Sequence, residues 1–231
     1  MMPVSKPAAP ARTLRVLARL LGYPDAELLA HLDDLREALA SERALGAART
    51  AELEALIETL SRADALDSEA EYVQLFDRGR ATSLHLFEHV HGDSRDRGPA
   101  MIDLAGTYEK AGLLLAPGEL PDYLPVVLEF VSTQPQREAR AFLGETAHLL
   151  NSIFSALRER GSAYASVLGA LLELAGEKAQ AVKITPDEPL DAAWVEPAAF
   201  DGCSSHGQAK PGRPQPVRLV RNHSAAKGAS T

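Results

Sequence analysis

The chain is poor in several features that mark common protein classes. It holds one cysteine, Cys203, among 231 residues, which excludes an intrachain disulfide and fits a reducing compartment. Its 24 basic side chains against 32 acidic ones give a net charge of −8, which argues against a strongly basic nucleic-acid binder. No apolar run reaches the roughly 18 residues that a membrane span requires. Because Arg15 and Arg19 interrupt the N-terminal apolar stretch, we expect no export signal and a cytoplasmic location.

Short motifs of the common enzyme classes are missing too. The sequence has no G-x-x-x-x-G-K-[ST] phosphate loop, no G-x-G-x-x-G dinucleotide fingerprint, no G-x-S-x-G nucleophile elbow and no C-x-x-C pair. Nucleotide, serine-hydrolase and dithiol chemistry therefore lack support.

Charge and composition divide the chain into a body and a tail. The last 23 residues carry five basic and no acidic side chains, which leaves 19 basic and 32 acidic ones, a net charge of −13, on the body. From Thr185 onward Pro, Gly, Ser and Ala dominate and apolar periodicity stops, a composition that cannot offset the entropy of ordering. We predict a flexible N-terminus over 1–11, an all-helical domain over 12–184 and a mostly disordered basic tail over 185–231.

The body has the periodicity of helices. Apolar residues recur three or four positions apart, as at Leu28, Leu32, Leu35 and Leu39, and alternating runs typical of strands are missing. Ser68 and Glu71 have the spacing of a capping box. Pro121 suits the first turn of a later helix. The pattern predicts an all-α helical bundle without a sheet.

One polar block, Ser83–Gly98, differs from these leucine-rich segments. Within it, His85 to His89 matches H-x-x-E-H, the inverted zinc-peptidase motif. In such an enzyme His85 and His89 would hold Zn²⁺ while Glu88 takes a proton from the bound water. A third ligand and a substrate cleft are not evident in the sequence, so a zinc metallohydrolase is one alternative.

Two further alternatives assign no catalytic role to the polar block. The histidines could flank a helix whose Leu84, Leu86, Phe87 and Val90 are core, with the charged residues bonding a loop. The chain could also be a scaffold or signalling bundle without a specific client.

A family resemblance favours another function. The block Glu71–Leu104, EYVQLFDRGRATSLHLFEHVHGDSRDRGPAMIDL, closely resembles the NarJ family, the assembly chaperones of respiratory nitrate reductase, within the wider TorD-like group of molybdoenzyme chaperones. The similarity continues through Thr107–Phe130 and includes LLGYPD at Leu20–Asp25, so it covers about 12–180. The wider group shares a tyrosine followed by Leu-Phe, here Tyr72, Leu75 and Phe76.

The resemblance implies an all-helical cytoplasmic chaperone that is not an enzyme. Such proteins bind the N-terminal segment of the catalytic (alpha) subunit of nitrate reductase. They hold the apo-enzyme ready for its molybdenum cofactor and delay its docking on the membrane subunit. We expect no catalytic residue, no metal ligand, no resident cofactor, no nucleic-acid partner and no membrane insertion.

A client helix needs an apolar groove flanked by charges, and the acidic body favours a basic or amphipathic segment. We predict that the groove lies at the polar block. Its predicted floor is Tyr72, Phe76, Leu86, Phe87 and Tyr108, with Leu75 beside them in the family motif. Its predicted rim is His85, Glu88, His89, His91, Asp93, Arg95 and Arg97.

Overall fold

Helices account for the regular structure of the described residues. The structure is a computed structural model that describes residues 10–92, 94–180 and 182. The helices in these ranges are α1 (Ala11–Leu20), α2 (Ala26–Ala30), α3 (Leu32–Glu42), α4 (Ala47–Arg62), α5 (Ala65–Phe76), α6 (Leu86–His91), α7 (Arg97–Lys110), α8 (Leu124–Thr133), α9 (Gln136–Glu159) and α10 (Ala165–Ala175). No strand occurs in them; His85 and Tyr123 form an isolated antiparallel bridge. The predicted all-α class is confirmed.

The core forms around α10, which is buried along nearly its whole length. Helix α9 precedes it across the short connection 160–164, and the two make the most extensive helix–helix contact of the described chain. Helix α1 packs on α8 and α3, and α4 packs on α10. Leucines supply most of the buried surface, as the helical spacing of the sequence predicts.

Helix starts differ from the predicted ones in two places. Helix α5 begins at Ala65, because the Asp64 side chain accepts a hydrogen bond from Leu66 N at 2.9 Å. Ser68 therefore lies inside the helix and is buried, so the predicted capping box is wrong. Helix α8 begins at Leu124, and the proline in its first turn is Pro125 instead of Pro121.

Helix α6 is too short to bury all its apolar residues. It spans six residues and ends at Gly92, whose φ of +53° lies in the region that glycine favours. Leu84 just before the helix and Leu86 at its first position are buried, but Val90 is 53% exposed, so its predicted place in the core is wrong.

The predicted tail 185–231 and Cys203 lie outside the described residues, and the domain boundaries stay predictions. Within the described ranges, no helix combines the length and the hydropathy needed to cross a membrane.

Candidate peptide-binding site

The Tyr-x-x-Leu-Phe motif of α5 forms a buried aromatic cluster. The Tyr72 hydroxyl donates to the carbonyl oxygen of Leu21 at 2.7 Å and lies 2.9 Å from the Tyr123 hydroxyl. The Tyr72 ring packs on Phe76 with centroids 4.7 Å apart, and on Tyr164 at 6.2 Å. Burial raises the pKa of Tyr72, so it stays protonated and keeps donating at physiological pH. The motif therefore ties α5 to the end of α1.

Leu75 contributes through its backbone. Its carbonyl oxygen accepts hydrogen bonds from the Thr82 hydroxyl and, at 3.5 Å, from Arg160 Nη1. These bonds hold the turn after α5 against the end of α9 and so fix where the polar block begins.

A carboxylate that sequence reasoning missed organises the polar block. Asp122 has no exposed surface. Its Oδ2 accepts from Phe87 N at 3.1 Å and lies 3.7 Å from Arg97 Nη2, and its backbone oxygen accepts from Leu86 N at 3.0 Å. Its Oδ1 lies 3.4 Å from His85 Nδ1. Asp122 thus holds the start of α6 from a segment 35 positions away.

His85 precedes α6 instead of lying on it. Its backbone is extended, its ring is about one-third exposed, and it packs on Tyr123 with centroids 5.2 Å apart. The hydrogen bond to Asp122 raises the pKa of His85, and partial burial opposes that effect. The charged imidazole is therefore favoured beside the buried carboxylate.

Glu88 and His89 bond to Ser83 within the same block. The Ser83 hydroxyl donates to Glu88 Oε2 at 2.5 Å, and Arg97 Nη2 donates to Glu88 Oε1 at 3.4 Å. His89 Nε2 lies 2.8 Å from the Ser83 carbonyl oxygen, so it carries the proton and donates. Glu88, His89 and Arg97 therefore all form hydrogen bonds within the polar block.

This geometry does not favour the zinc metallohydrolase. His85 lies outside the helix, so the two histidines are not one helical turn apart on a shared face. The ring nitrogens that contact Asp122 and Ser83 are already engaged. Within the part of the chain that the structure describes, no three His, Cys, Asp or Glu side chains are grouped to hold a metal ion.

The other predicted site residues are dispersed. Leu86 is buried, Phe87 is half-buried with its ring 5.3 Å from that of His91, and Arg95 is exposed. Asp93 lies outside the described residues. Tyr108 is buried, its hydroxyl donates to the Pro121 carbonyl oxygen at 2.8 Å, and it lines neither of the two hollows described next.

Two hollows that adjoin this cluster meet at Tyr23, whose ring lies edge-on to Tyr72 at 5.6 Å. We call them together the Tyr23 groove. One hollow, of about 450 Å³, is lined by Tyr23, Tyr72, Phe76, Asp77, Leu84, His85, Gly118, Glu119, Leu120 and Tyr123. The other, of about 400 Å³, is lined by Tyr23, Leu66, Glu69, Ala70, Val73, Gln74 and Arg78.

The Tyr23 groove combines apolar anchors with negative charge. Leu66 is 73% exposed and Tyr23 is 42% exposed, so both present apolar surface to solvent. Glu69, Asp77 and Glu119 supply three carboxylates in its lining, against the one guanidinium of Arg78. Partial burial, a hydrogen bond with Glu69 and the charges of Glu69 and Asp77 raise the pKa of Tyr23. Such a surface suits a basic amphipathic segment that inserts apolar side chains.

The fold has a counterpart among solved structures. A solved structure from Archaeoglobus fulgidus, described provisionally as a redox enzyme maturation protein, superposes with a TM-score of 0.55 at 19% identity. The match covers 77% of this chain and 100% of that one. The likeness shows that the two chains share an all-helical fold.

Sequence comparison identifies the family. The family model described as nitrate reductase delta subunit matches residues 26–169. The nitrate reductase molybdenum cofactor assembly chaperone NarJ of Escherichia coli K12 is 44% identical over 193 residues, 79% of this chain and 82% of that protein. A Bacillus subtilis 168 relative named "Probable nitrate reductase molybdenum cofactor assembly chaperone NarJ" is 34% identical over 69% of this chain and 86% of its own length.

The chain belongs to the nitrate reductase delta subunit family, with NarJ chaperones among its relatives. The resemblance that the block Glu71–Leu104 indicates is confirmed.

Proposed function

We propose that this protein is the dedicated assembly chaperone of respiratory nitrate reductase. It binds the apo catalytic subunit in the cytoplasm, assists insertion of the molybdenum cofactor and delays docking on the membrane subunit. The observation that carries the proposal is the 44% identity to a NarJ chaperone across 82% of that protein's length. Its role is binding, without a catalytic step of its own.

The N-terminal segment of the catalytic subunit is the proposed ligand of the Tyr23 groove. Apolar side chains of the client enter the hollows on either side of Tyr23, where Tyr72 and Phe76 form the floor. Its basic side chains face Glu69 and Asp77. Long-range attraction by the acidic body speeds the encounter, more at low salt than at high salt.

The polar block positions the groove. Asp122 and Arg97 hold the start of α6, and His85 lies both in that network and in the groove lining. In this account Glu88, His89, His91 and Arg95 form a polar border beside the groove, and Leu75, Leu86, Phe87 and Tyr108 support it from below.

Calorimetric titration with a client peptide tests the groove. Leu66 and Ile102 are both leucine-sized and 73% and 74% exposed, but Ile102 lies on α7 outside the groove. Leu66→Ser should weaken binding of the catalytic-subunit N-terminal peptide about tenfold, since it removes an exposed apolar anchor. Ile102→Ser should leave the affinity unchanged.

The contribution of charge in the Tyr23 groove can be tested with a matched control variant as well. Glu69→Lys should weaken the same peptide, whereas Glu145→Lys, which changes net charge equally at an exposed site on α9, should have little effect. Equal losses in both variants would mean that only the overall charge matters and would remove the Tyr23 groove as the binding site.

A further inference from the structure

A second cavity is separate from the Tyr23 groove except at Glu119, which lines both. It measures about 630 Å³ and lies between α1, α3, α8 and the loop that follows α7. We call it the Arg12 groove, after the residue at its outer end. Apart from Glu119, the client-binding account uses only Tyr108 among the residues that line the Arg12 groove.

Its floor is apolar. Val16 from α1, Leu35 from α3 and Phe130 from α8 line it, and the loop adds Leu113 and Leu115. Leu114 at its edge is 84% exposed, the most exposed of the large apolar side chains in the described residues. An apolar floor with an exposed leucine at its mouth is typical of a surface that buries a partner's side chains.

One wall of this groove is positively charged. Arg12, Arg15 and Arg19 follow one another at helical spacing along α1 and all line the cavity. Arg19 is paired with Asp25 at 3.1 Å. Arg15 Nε donates to the Ser132 hydroxyl at 3.2 Å. Among the described residues, no carboxylate pairs with the guanidinium of Arg12 or of Arg15.

This wall stands out on a body whose net charge is −13. A partner that covered the floor would take water from Arg12 and Arg15, which is costly unless it supplies carboxylates. Glu119 and Glu129 line the cavity as well, so an incoming helix meets charges of both signs, and its own carboxylates belong on the side that faces α1. The charge pattern thus fixes both the sign and the orientation of the partner.

We propose that the Arg12 groove is a second docking surface, which binds an acidic amphipathic helix of a partner protein. Apolar side chains of that helix occupy the floor between Val16 and Phe130, and its Asp or Glu side chains pair with Arg12 and Arg15. The preferred ligand has the opposite charge to the ligand of the Tyr23 groove, so one short segment does not satisfy both surfaces.

The probe for the test is a capped peptide of about 15 residues, with leucines at i, i+3, i+4 and i+7 spacing and glutamates on one flank. Titrated into the full-length protein, it should bind, and the matched peptide with glutamine in place of glutamate should bind about tenfold more weakly. The double variant Arg12→Glu/Arg15→Glu and the variant Leu114→Ser should each weaken the glutamate peptide. The double variant Arg137→Glu/Arg158→Glu changes net charge equally at exposed positions of α9, and it should leave the affinity for the glutamate peptide unchanged.

Three outcomes would overturn the proposal: no binding of the glutamate peptide, equal binding of both peptides, or equal losses in the two charge-reversal variants. Analytical ultracentrifugation of the protein without peptide can give a fourth such outcome. Self-association that Leu114→Ser abolishes would make a second copy of this chain the occupant. Leu66→Ser should leave the affinity for the glutamate peptide unchanged. The Arg12 groove and the Tyr23 groove are therefore tested independently, and either proposal can fail without the other.

Discussion

Removal of the Asp122 carboxylate should destabilise the protein more than removal of Glu88 or Asp96, the described carboxylates of the polar block itself. Asp122→Ala leaves the N–H of the half-buried Phe87 without its acceptor, which costs about 1–3 kcal/mol. His85 and Arg97 lose their partner too, but their side chains are 32% and 28% exposed and water screens them, so their share is small. We expect a total loss of about 3 kcal/mol in the free energy of unfolding.

Urea denaturation followed by circular dichroism measures this loss. Asp122→Asn keeps the size and one acceptor oxygen and should lose about 2 kcal/mol, less than the alanine variant. Asp103→Ala, an exposed acidic position on α7, is the control and should change stability by less than about 0.5 kcal/mol. If Asp122→Ala lost no more than Asp103→Ala, Asp122 would not organise the polar block as described.

Two further predictions concern pH and hydroxyl groups. Because the pKa of His85 is raised by Asp122, its charged form stabilises the fold below about pH 6.5, and this contribution is lost as pH rises through the raised pKa. The stability difference between wild type and His85→Gln should therefore be larger at about pH 5.5 than at about pH 8.5 in urea titrations; a difference that grows with pH would contradict the assignment. Tyr72→Phe should cost about 1 kcal/mol, since its hydroxyl donates to the Leu21 carbonyl oxygen. Tyr164→Phe should be neutral or stabilising in the same assay, because the buried Tyr164 hydroxyl has no partner among the described residues; a loss equal to that of Tyr72→Phe would refute this.

The helical architecture could be predicted from leucine spacing, because burial of one face of each helix is a local property of the sequence. The first residue of each helix is harder to predict from the sequence. Asp64 and Ser68 both offer a capping oxygen, and nothing in the sequence shows that Ser68 is buried in the packed helix. Val90 lies one turn after the buried Leu86 and has the spacing of a core residue, but α6 ends one residue later and leaves Val90 exposed.

The site depends on contacts that are distant in sequence. Asp122 stands in the sequence Leu-Pro-Asp-Tyr-Leu-Pro, residues 120–125, where a carboxylate resembles an ordinary loop residue. Its importance comes from its bond to Phe87, 35 positions earlier, and no local pattern encodes that contact. Tyr23 belongs to the LLGYPD segment of the resemblance, but its position at the junction of two hollows depends on how α5 packs beside it.

The molybdenum content of nitrate reductase tests the central claim most directly. In cells that lack this gene, the catalytic subunit should be synthesised and its purified form should hold almost no molybdenum. Return of the wild-type gene or the Ile102→Ser variant should restore the metal, and return of Leu66→Ser should restore much less. Full molybdenum occupancy in the deletion strain would contradict the account.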